Sequence, residues 1–168
     1  MRLDAISLTQ TWAKLRIAAH IGMMRRAQAL EDRANGKITG PDYGSWIKDI
    51  ESACAESVVA EWYDHNWDPS IGYDAGDVGP YEVRWTDDHN NRLILHDRDK
   101  DYKPYILVTG LAPTYYMQGW LFGCEGKRQE NVDDPVGGRA AYFVSQRKLH
   151  SMAQLPTYRK VNGVYVEG

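Results

Sequence analysis

Asp74, Asp77 and Glu82 surround one glycine-rich turn in the segment Asp74-Ala-Gly-Asp-Val-Gly-Pro-Tyr-Glu-Val-Arg-Trp85. Beyond the turn the residues alternate as a strand does. Glu82 and Arg84 are two apart and share a face, and Val83 takes the other. A helical stretch bearing Glu56 comes before the turn. Acids converging with one fixed cation suit magnesium-dependent phosphodiester hydrolysis. Carboxylates hold a hard, oxygen-seeking ion, and the cation steadies charge on the phosphate. The glycines at 76 and 79 let the backbone turn tightly enough for the loop acid to meet the strand acid. The spacing Asp77-x4-Glu82-x-Arg84 is also permissive, and a structural turn carrying surface acids would satisfy it.

Other constellations are weaker. Glu125-Gly-Lys127 is a second acid-x-lysine pair at the end of a β-prone run, and equally a polar strand end; Lys127 and Arg128 are candidates for phosphate contact. Asp97-x-Asp99-x-Asp101 has the acid spacing of a calcium loop. Tyr102 stands where such a loop needs glycine and Val108 where it needs glutamate, so a solvated loop is expected. Its Arg98, Lys100 and Lys103 could touch nucleic acid. The histidines at 20, 65, 89, 96 and 150 have no zinc-site spacing, and neither a nucleophile elbow nor a phosphate-binding glycine loop occurs. Trp62, Tyr63, Trp67, Tyr73, Tyr81 and Trp85 crowd the same region as the acids, where core packing is the default and stacking on unpaired bases the alternative.

Helices must position the first of these groups. Ser7-x-x-Gln10 has capping-box spacing, and Trp12, Leu15, Ala19, Met23 and Leu30 then recur at helical period up to Glu31. Lys14, Arg16, Arg25 and Arg26 give that helix a basic side. Gly40-Pro41-Asp42 opens a second helix, capped by Asp42 or Ser45 and ending near Asn66. Its stripe is Trp46, Ile47, Ile50, Cys54, Val58 and Trp62, with Glu56 at the stripe's border. After Gly72 the runs 81–86, 92–96, 105–109 and 115–122 are β-prone, with His89-Asn90-Asn91 as a hairpin loop between the first two. The segment 123–138 is polar and loop-like. A last short strand is expected at 140–144, a short helix or turn at 146–155, and a small hairpin at Val161-Asn-Gly-Val164. Helices followed by strands make the class α+β, with N-terminal helices on a central mixed, mostly antiparallel sheet in a single domain, 1–168.

The chain has 168 residues and a formal net charge of −3, with six Trp and eleven Tyr. That charge argues against binding nucleic acid by bulk positive potential, although bound metal neutralises acids where a phosphate would sit. No apolar run approaches the ~18 residues a bilayer span needs, and Met1-Arg-Leu-Asp-Ala lacks the apolar core of a signal peptide. A cytoplasmic protein with buried, reduced Cys54 and Cys124 is expected.

Ala55-Glu-Ser-Val-Val-Ala-Glu-Trp62, then Asp77-Val-Gly-Pro-Tyr-Glu-Val-Arg84, then a hairpin of strands, resembles the PD-(D/E)XK nuclease superfamily. The resemblance covers roughly residues 45–125 and implies a restriction-endonuclease-like fold. It implies that Glu56 is the helical acid, Asp77 the central metal ligand and Glu82 the second ligand, with the Val83 carbonyl assisting and Mg²⁺ or Mn²⁺ as cofactor. DNA would be the partner, Arg84 would clamp the scissile phosphate, and Lys100, Lys127 and Arg128 would contact the backbone. The compact size suits a phage-encoded member. Such nucleases often act as dimers, and the long first helix offers a homodimer surface. One departure matters. The family pattern has lysine where this chain has Arg84, and arginine stays protonated, so it cannot act as a general base. The rival expectation is a non-catalytic nucleic-acid-binding or accessory protein on a degenerate nuclease fold.

Overall fold

A computed structural model describes residues 4–63, 67, 69, 77–162 and 164–168. His65, Asn66, Tyr73, Asp74 and Gly76 lie outside the described residues.

Helix α1 spans Trp12–Ala34, and the Thr11 side chain at its N-cap accepts the Lys14 N–H at 3.4 Å. The Ser7–Gln10 box is not its start. Ile6–Thr9 forms strand β1 instead, paired antiparallel with residues 114–117. The reason is its period of two: Ile6 and Leu8 pack on the core while Ser7 and Thr9 face solvent. Helix α2 spans Trp46–Trp62, capped by the Ser45 hydroxyl, which accepts the Lys48 N–H at 3.1 Å; it ends at Tyr63, short of the expected boundary. The two helices run antiparallel, with Gln10 and Lys14 reaching Glu61 and Arg26 reaching Asp42 and Asp49. Gly22 lets them approach: a Cβ there would stand 2.5 Å from the Asp49 carbonyl oxygen and from Ile50 Cα.

The central sheet holds four strands in the order β1-β5-β4-β2, with β2 Glu82–Thr86, β4 Pro104–Leu111 and β5 Thr114–Phe122. Its β1–β5 and β5–β4 pairs are antiparallel and its β4–β2 pair is parallel, so the sheet is mixed and mostly antiparallel as expected. Strand β4 is buried on both faces, which its Tyr-Ile-Leu-Val run reflects. On one face Val83, Ile106, Val108, Tyr115 and Met117 pack against Cys54, Ala55, Val58 and Val59 of α2. On the other, Tyr105, Leu107 and Leu121 pack against a second sheet through Leu93, Leu95 and Val144. That sheet has the order β3-β7-β6, from Leu93–Leu95, Ala141–Val144 and Val132–Asp133. The molecule is α+β, with helices, central sheet and small sheet as its layers.

His89-Asn90-Asn91 does not close a hairpin. Strand β2 pairs with β4, and β3 pairs with β7 in the other sheet. Parallel neighbours need a crossover, and residues 87–103 supply it, carrying β3 across to the second sheet. The stretch 123–138 is less loop-like than expected. It contains the four-residue helix α3 (Gly123–Gly126), a 3-10 turn at Gln129–Asn131 and β6. The expected 146–155 segment forms two 3-10 turns. Strands β8 (Tyr158–Val161) and β9 (Val164–Glu167) make the C-terminal hairpin, with Asn162 at φ 49°. Cys54 is buried, and burial pushes its thiol up to about 11. Cys124, expected buried, is exposed. Among the described residues no helix is long and apolar enough to cross a membrane.

Candidate functional site

β2 is the edge strand of the central sheet, and the candidate residues meet there. Val78 and Tyr81 exchange backbone hydrogen bonds of 3.1 and 3.0 Å, closing a turn in which Gly79 takes the left-handed φ of 58°. A side chain would be strained there. The turn brings Asp77 back onto the strand, where its Oδ2 accepts the Val83 N–H at 2.7 Å. In a strand, the N–H and C=O of one residue point to the same edge. The Val83 carbonyl therefore also faces outward, away from β4, and Arg84 Nη1 approaches it at 3.5 Å. Asp77 and the Val83 carbonyl stand side by side at an edge that no other described strand covers.

Glu56 reaches the cluster from α2. It is only 4 % exposed, and Arg25 of α1 grips it with two hydrogen bonds of 2.6 and 2.8 Å. Trp67 Nε1 adds a donation to Oε2 at 3.3 Å. Glu82 lies on the opposite face of β2 from Val83. Its Oε1 pairs with Lys103, just ahead of β4, and its Oε2 lies 3.8 Å from Arg84. Arg84 donates to Asp99 Oδ1 at 3.1 Å and lies over the Tyr105 ring, 5.1 Å from its centroid. Asp99 Oδ2 also accepts the His96 N–H at 3.0 Å.

The electrostatics follow from this crowding. Burial pushes the Asp77 carboxyl up to about 7, and repulsion from Glu56 and Glu82 adds to it; the Val83 N–H and Arg84 pull the other way. Burial opposes the charge on Arg84, but Asp99, Asp77 and Glu82 outweigh it and hold the guanidinium protonated above its ordinary range. Glu56 does the same for Arg25. Among the described residues four carboxylates (Glu56, Asp77, Glu82 and Asp99) face three cations (Arg25, Arg84 and Lys103), and Asp77 is the acid without a cation in hydrogen-bond contact. Among the described residues no group of three or more His, Cys, Asp or Glu is gathered tightly enough to cage an ion as it stands. Arg25 and Lys103 occupy Glu56 and Glu82 instead.

Glu56, Asp77, Glu82, Val83 and Arg84 thus come together, and the remaining candidates do not join them. Glu125 and Lys127 diverge. Glu125 accepts the Phe122 N–H at 2.8 Å and pairs with His150 at 2.9 Å, while Lys127 ties down the preceding loop through Asp101 at 2.5 Å and the Asp99 carbonyl at 2.7 Å. The second acid-x-lysine pair is therefore a pair of structural clasps, and Lys127 is committed. Lys100 and Arg128 are exposed. The three aspartates of the 97–101 loop take three different partners: Tyr142, Arg84 and Lys127. The loop is not wholly solvated, because the Asp99 side chain is only 8 % exposed.

The sequence reading missed Arg25 and Asp99 as members of the cluster and did not connect Lys103 with Glu82. Arg25 was visible only as part of a basic helix side. Lys103 meets Glu82 through a strand register that no local pattern encodes. No family model, curated protein or solved structure matches this chain. An edge-strand carbonyl, an acid lacking a cation among the described residues and a second acid on the same strand offer hard oxygen donors, with a half-buried, permanently charged guanidinium beside them.

Proposed function

We infer that the chain is a metal-dependent nuclease, hydrolysing phosphodiester bonds in DNA, built on a restriction-endonuclease-like arrangement. The observation that carries this is the meeting of Asp77, Glu82 and the outward Val83 carbonyl on β2, the edge strand among the described strands. These oxygens suit Mg²⁺ or Mn²⁺, which take carboxylate and carbonyl donors. The raised Asp77 carboxyl supports the fit, since a nearby divalent charge would relieve the repulsion that raises it. Asp77, Glu82 and the Val83 carbonyl would hold the ion, with Glu56 behind them. When bound, it supplies Lewis acidity that activates water and offsets charge on the attacked phosphate.

The chain's own residues do the rest. Asp99 aims Arg84, and Arg84 presents N–H donors to a phosphate oxygen. Lys103 brings a titratable amine to the strand whose own cation, Arg84, cannot give up its proton. In this reading Lys103 takes the role that the family pattern gives to a lysine at position 84. The test is cleavage of single-stranded, duplex and branched DNA across Mg²⁺ and Mn²⁺ concentrations, wild type beside Asp77→Ala. Cutting that needs the metal and vanishes in the variant is expected. Cutting that survives chelation, or survives Asp77→Ala, overturns the reading.

One observation favours the second reading, a non-catalytic nucleic-acid-binding or accessory protein. The bidentate Arg25 grip neutralises Glu56, the helical acid that the catalytic pattern would place at the metal. DNA binding without cutting under every metal condition is its signature.

A further inference from the structure

A cleft of about 600 Å³ opens beside the start of the 96–101 loop. Its floor is the outward face of the second sheet, where Ile94 and Phe143 stand opposite each other in register. His96 and Arg98 come from the loop after β3, Arg139 from the 134–140 loop and Tyr43 from the α1–α2 connection. Tyr43 is 49 % exposed, and the Arg139 guanidinium lies over its ring at 3.4 Å from the centroid. The volume is that of a pocket for a nucleotide-sized molecule.

The charges in this cleft are unusually free. Arg98 and Arg139 have no carboxylate partner among the described residues. Each neighbouring acid already has a hydrogen-bond or ion-pair partner, Asp97 while itself lining the cleft. Asp97 accepts the Tyr142 hydroxyl at 2.9 Å, Asp133 pairs with Arg92 at 2.7 Å, and Asp134 accepts the backbone N–H groups of 137, 138 and 139. Burial lowers the His96 pKa; Asp99 opposes this, and the positive charges of Arg98, Arg84 and Arg139 lower it further. Arg84 donates to Asp99, and the backbone N–H of His96 donates to the same carboxylate. The cleft and the acid cluster therefore have a common wall.

We propose that this cleft seats an unpaired nucleotide of a nucleic-acid strand, with its base on Tyr43 and the Ile94–Phe143 face and its phosphate on Arg98 and Arg139. Apolar and aromatic walls accept any base through its π face, and unpartnered guanidiniums complement the backbone phosphate. A base within a duplex is stacked on its neighbours and cannot enter, so the cleft selects single strands or unpaired flanks. The proposal rests on the nucleic-acid reading of Arg84 for where the strand runs next. Binding itself needs neither metal nor cleavage.

The test uses the full chain in EDTA, with a single-stranded oligodeoxynucleotide carrying 2-aminopurine and with its duplex. Single strands are expected to bind at least tenfold tighter than duplex, with the 2-aminopurine emission quenched by stacking. Arg98→Ala and Arg139→Ala are each expected to weaken binding about five- to tenfold and to flatten the log–log salt dependence by about 0.7. Tyr43→Ala is expected to cost about tenfold and abolish quenching, and Tyr43→Phe to restore both. Equal affinity for duplex, unchanged binding in both arginine variants, or displacement of the oligonucleotide by poly-glutamate as readily as by unlabelled single strand would each overturn the proposal. Failure of the nuclease reading shows separately, as absent Mg²⁺-dependent cutting while binding in EDTA persists.

Discussion

Lys103 closes on Glu82 from the residue just ahead of the neighbouring strand, twenty-one positions away in sequence. The parallel register that sets Glu82 beside Tyr105 brings them together. An amine so held belongs to the cluster as much as the strand's own Arg84 does. Under the nuclease reading, Lys103→Met should lower cleavage about a hundredfold, the scale of losing one charge-stabilising donor. Lys103→Arg should keep the ion pair while losing the titratable amine. Both side chains are partly solvent-accessible, so stability should change by only about 1 kcal/mol. Single-turnover cleavage beside urea denaturation separates the two effects. Lys103→Met retaining full activity would remove Lys103 from the site.

Asp77 gives a pH prediction with a definite sign. Its folded carboxyl titrates at about 7, whereas an unfolded aspartate titrates near ~4. The folded state therefore binds the proton more tightly. That contribution is fully present below about pH 4, is lost as pH rises, and is gone above about 7. Asp77→Asn keeps an oxygen for the Val83 N–H and removes the charge. In EDTA it should be more stable than wild type at pH 8 by about 1–2 kcal/mol, allowing for solvent screening of a half-buried group, and the difference should shrink towards pH 4. Added Mg²⁺ should stabilise wild type at pH 8 and leave the variant unmoved. Urea titrations at several pH values decide it; a variant no more stable than wild type at pH 8 would show that Asp77 is not under repulsion.

The helices and the β-prone runs could be read from local pattern because their signals are local: caps, apolar stripes and period-two alternation. Ser45 capped α2 as one of the two expected choices, and the Tyr-Ile-Leu-Val run marked β4. Pairing was another matter. Ser7–Gln10 has the chemistry of a helix start, yet Ile6–Thr9 becomes a strand because β5 offers it a partner more than a hundred residues away. Strands β2 and β3 lie close in sequence but part company: β2 pairs with β4 in one sheet and β3 with β7 in the other. The site divides the same way. Asp77, Glu82 and Arg84 share one turn and strand and could be seen together. Arg25, Asp99 and Lys103 join only through helix packing, loop path and strand register.

Arg25 and Glu56 make the most buried ion pair of the cluster, and this sets an asymmetric prediction. Arg25→Met leaves a carboxylate stranded in the core and should destabilise the chain by about 3 kcal/mol. The double variant Arg25→Met with Glu56→Leu removes both charges and should recover most of that loss, because apolar groups can replace a buried pair at little cost. Chemical denaturation of the two single variants and the double gives the coupling directly. Additive losses would mean that the two side chains do not depend on each other.

Gly22 connects helix packing to the site. Its missing side chain is what lets α2 lie against α1, and a methyl group would run into the Asp49 carbonyl and the Ile50 backbone. Backbone cannot rotate aside as a flexible side chain can, so Gly22→Ala must push the helices apart. Overpacking of this kind costs about 1–3 kcal/mol, and the better helix propensity of alanine returns less than ~1 of it. Arg25 lies almost one turn further along α1, so separation at 22 also draws its guanidinium away from Glu56. Gly22→Ala should therefore lower stability and, in double-variant analysis, shrink the Arg25–Glu56 coupling, whereas a purely local clash would leave the coupling intact. Denaturation of the Gly22→Ala set alongside the Arg25 and Glu56 variants distinguishes these outcomes, and an alanine variant as stable as wild type would show that the helices have room to spare.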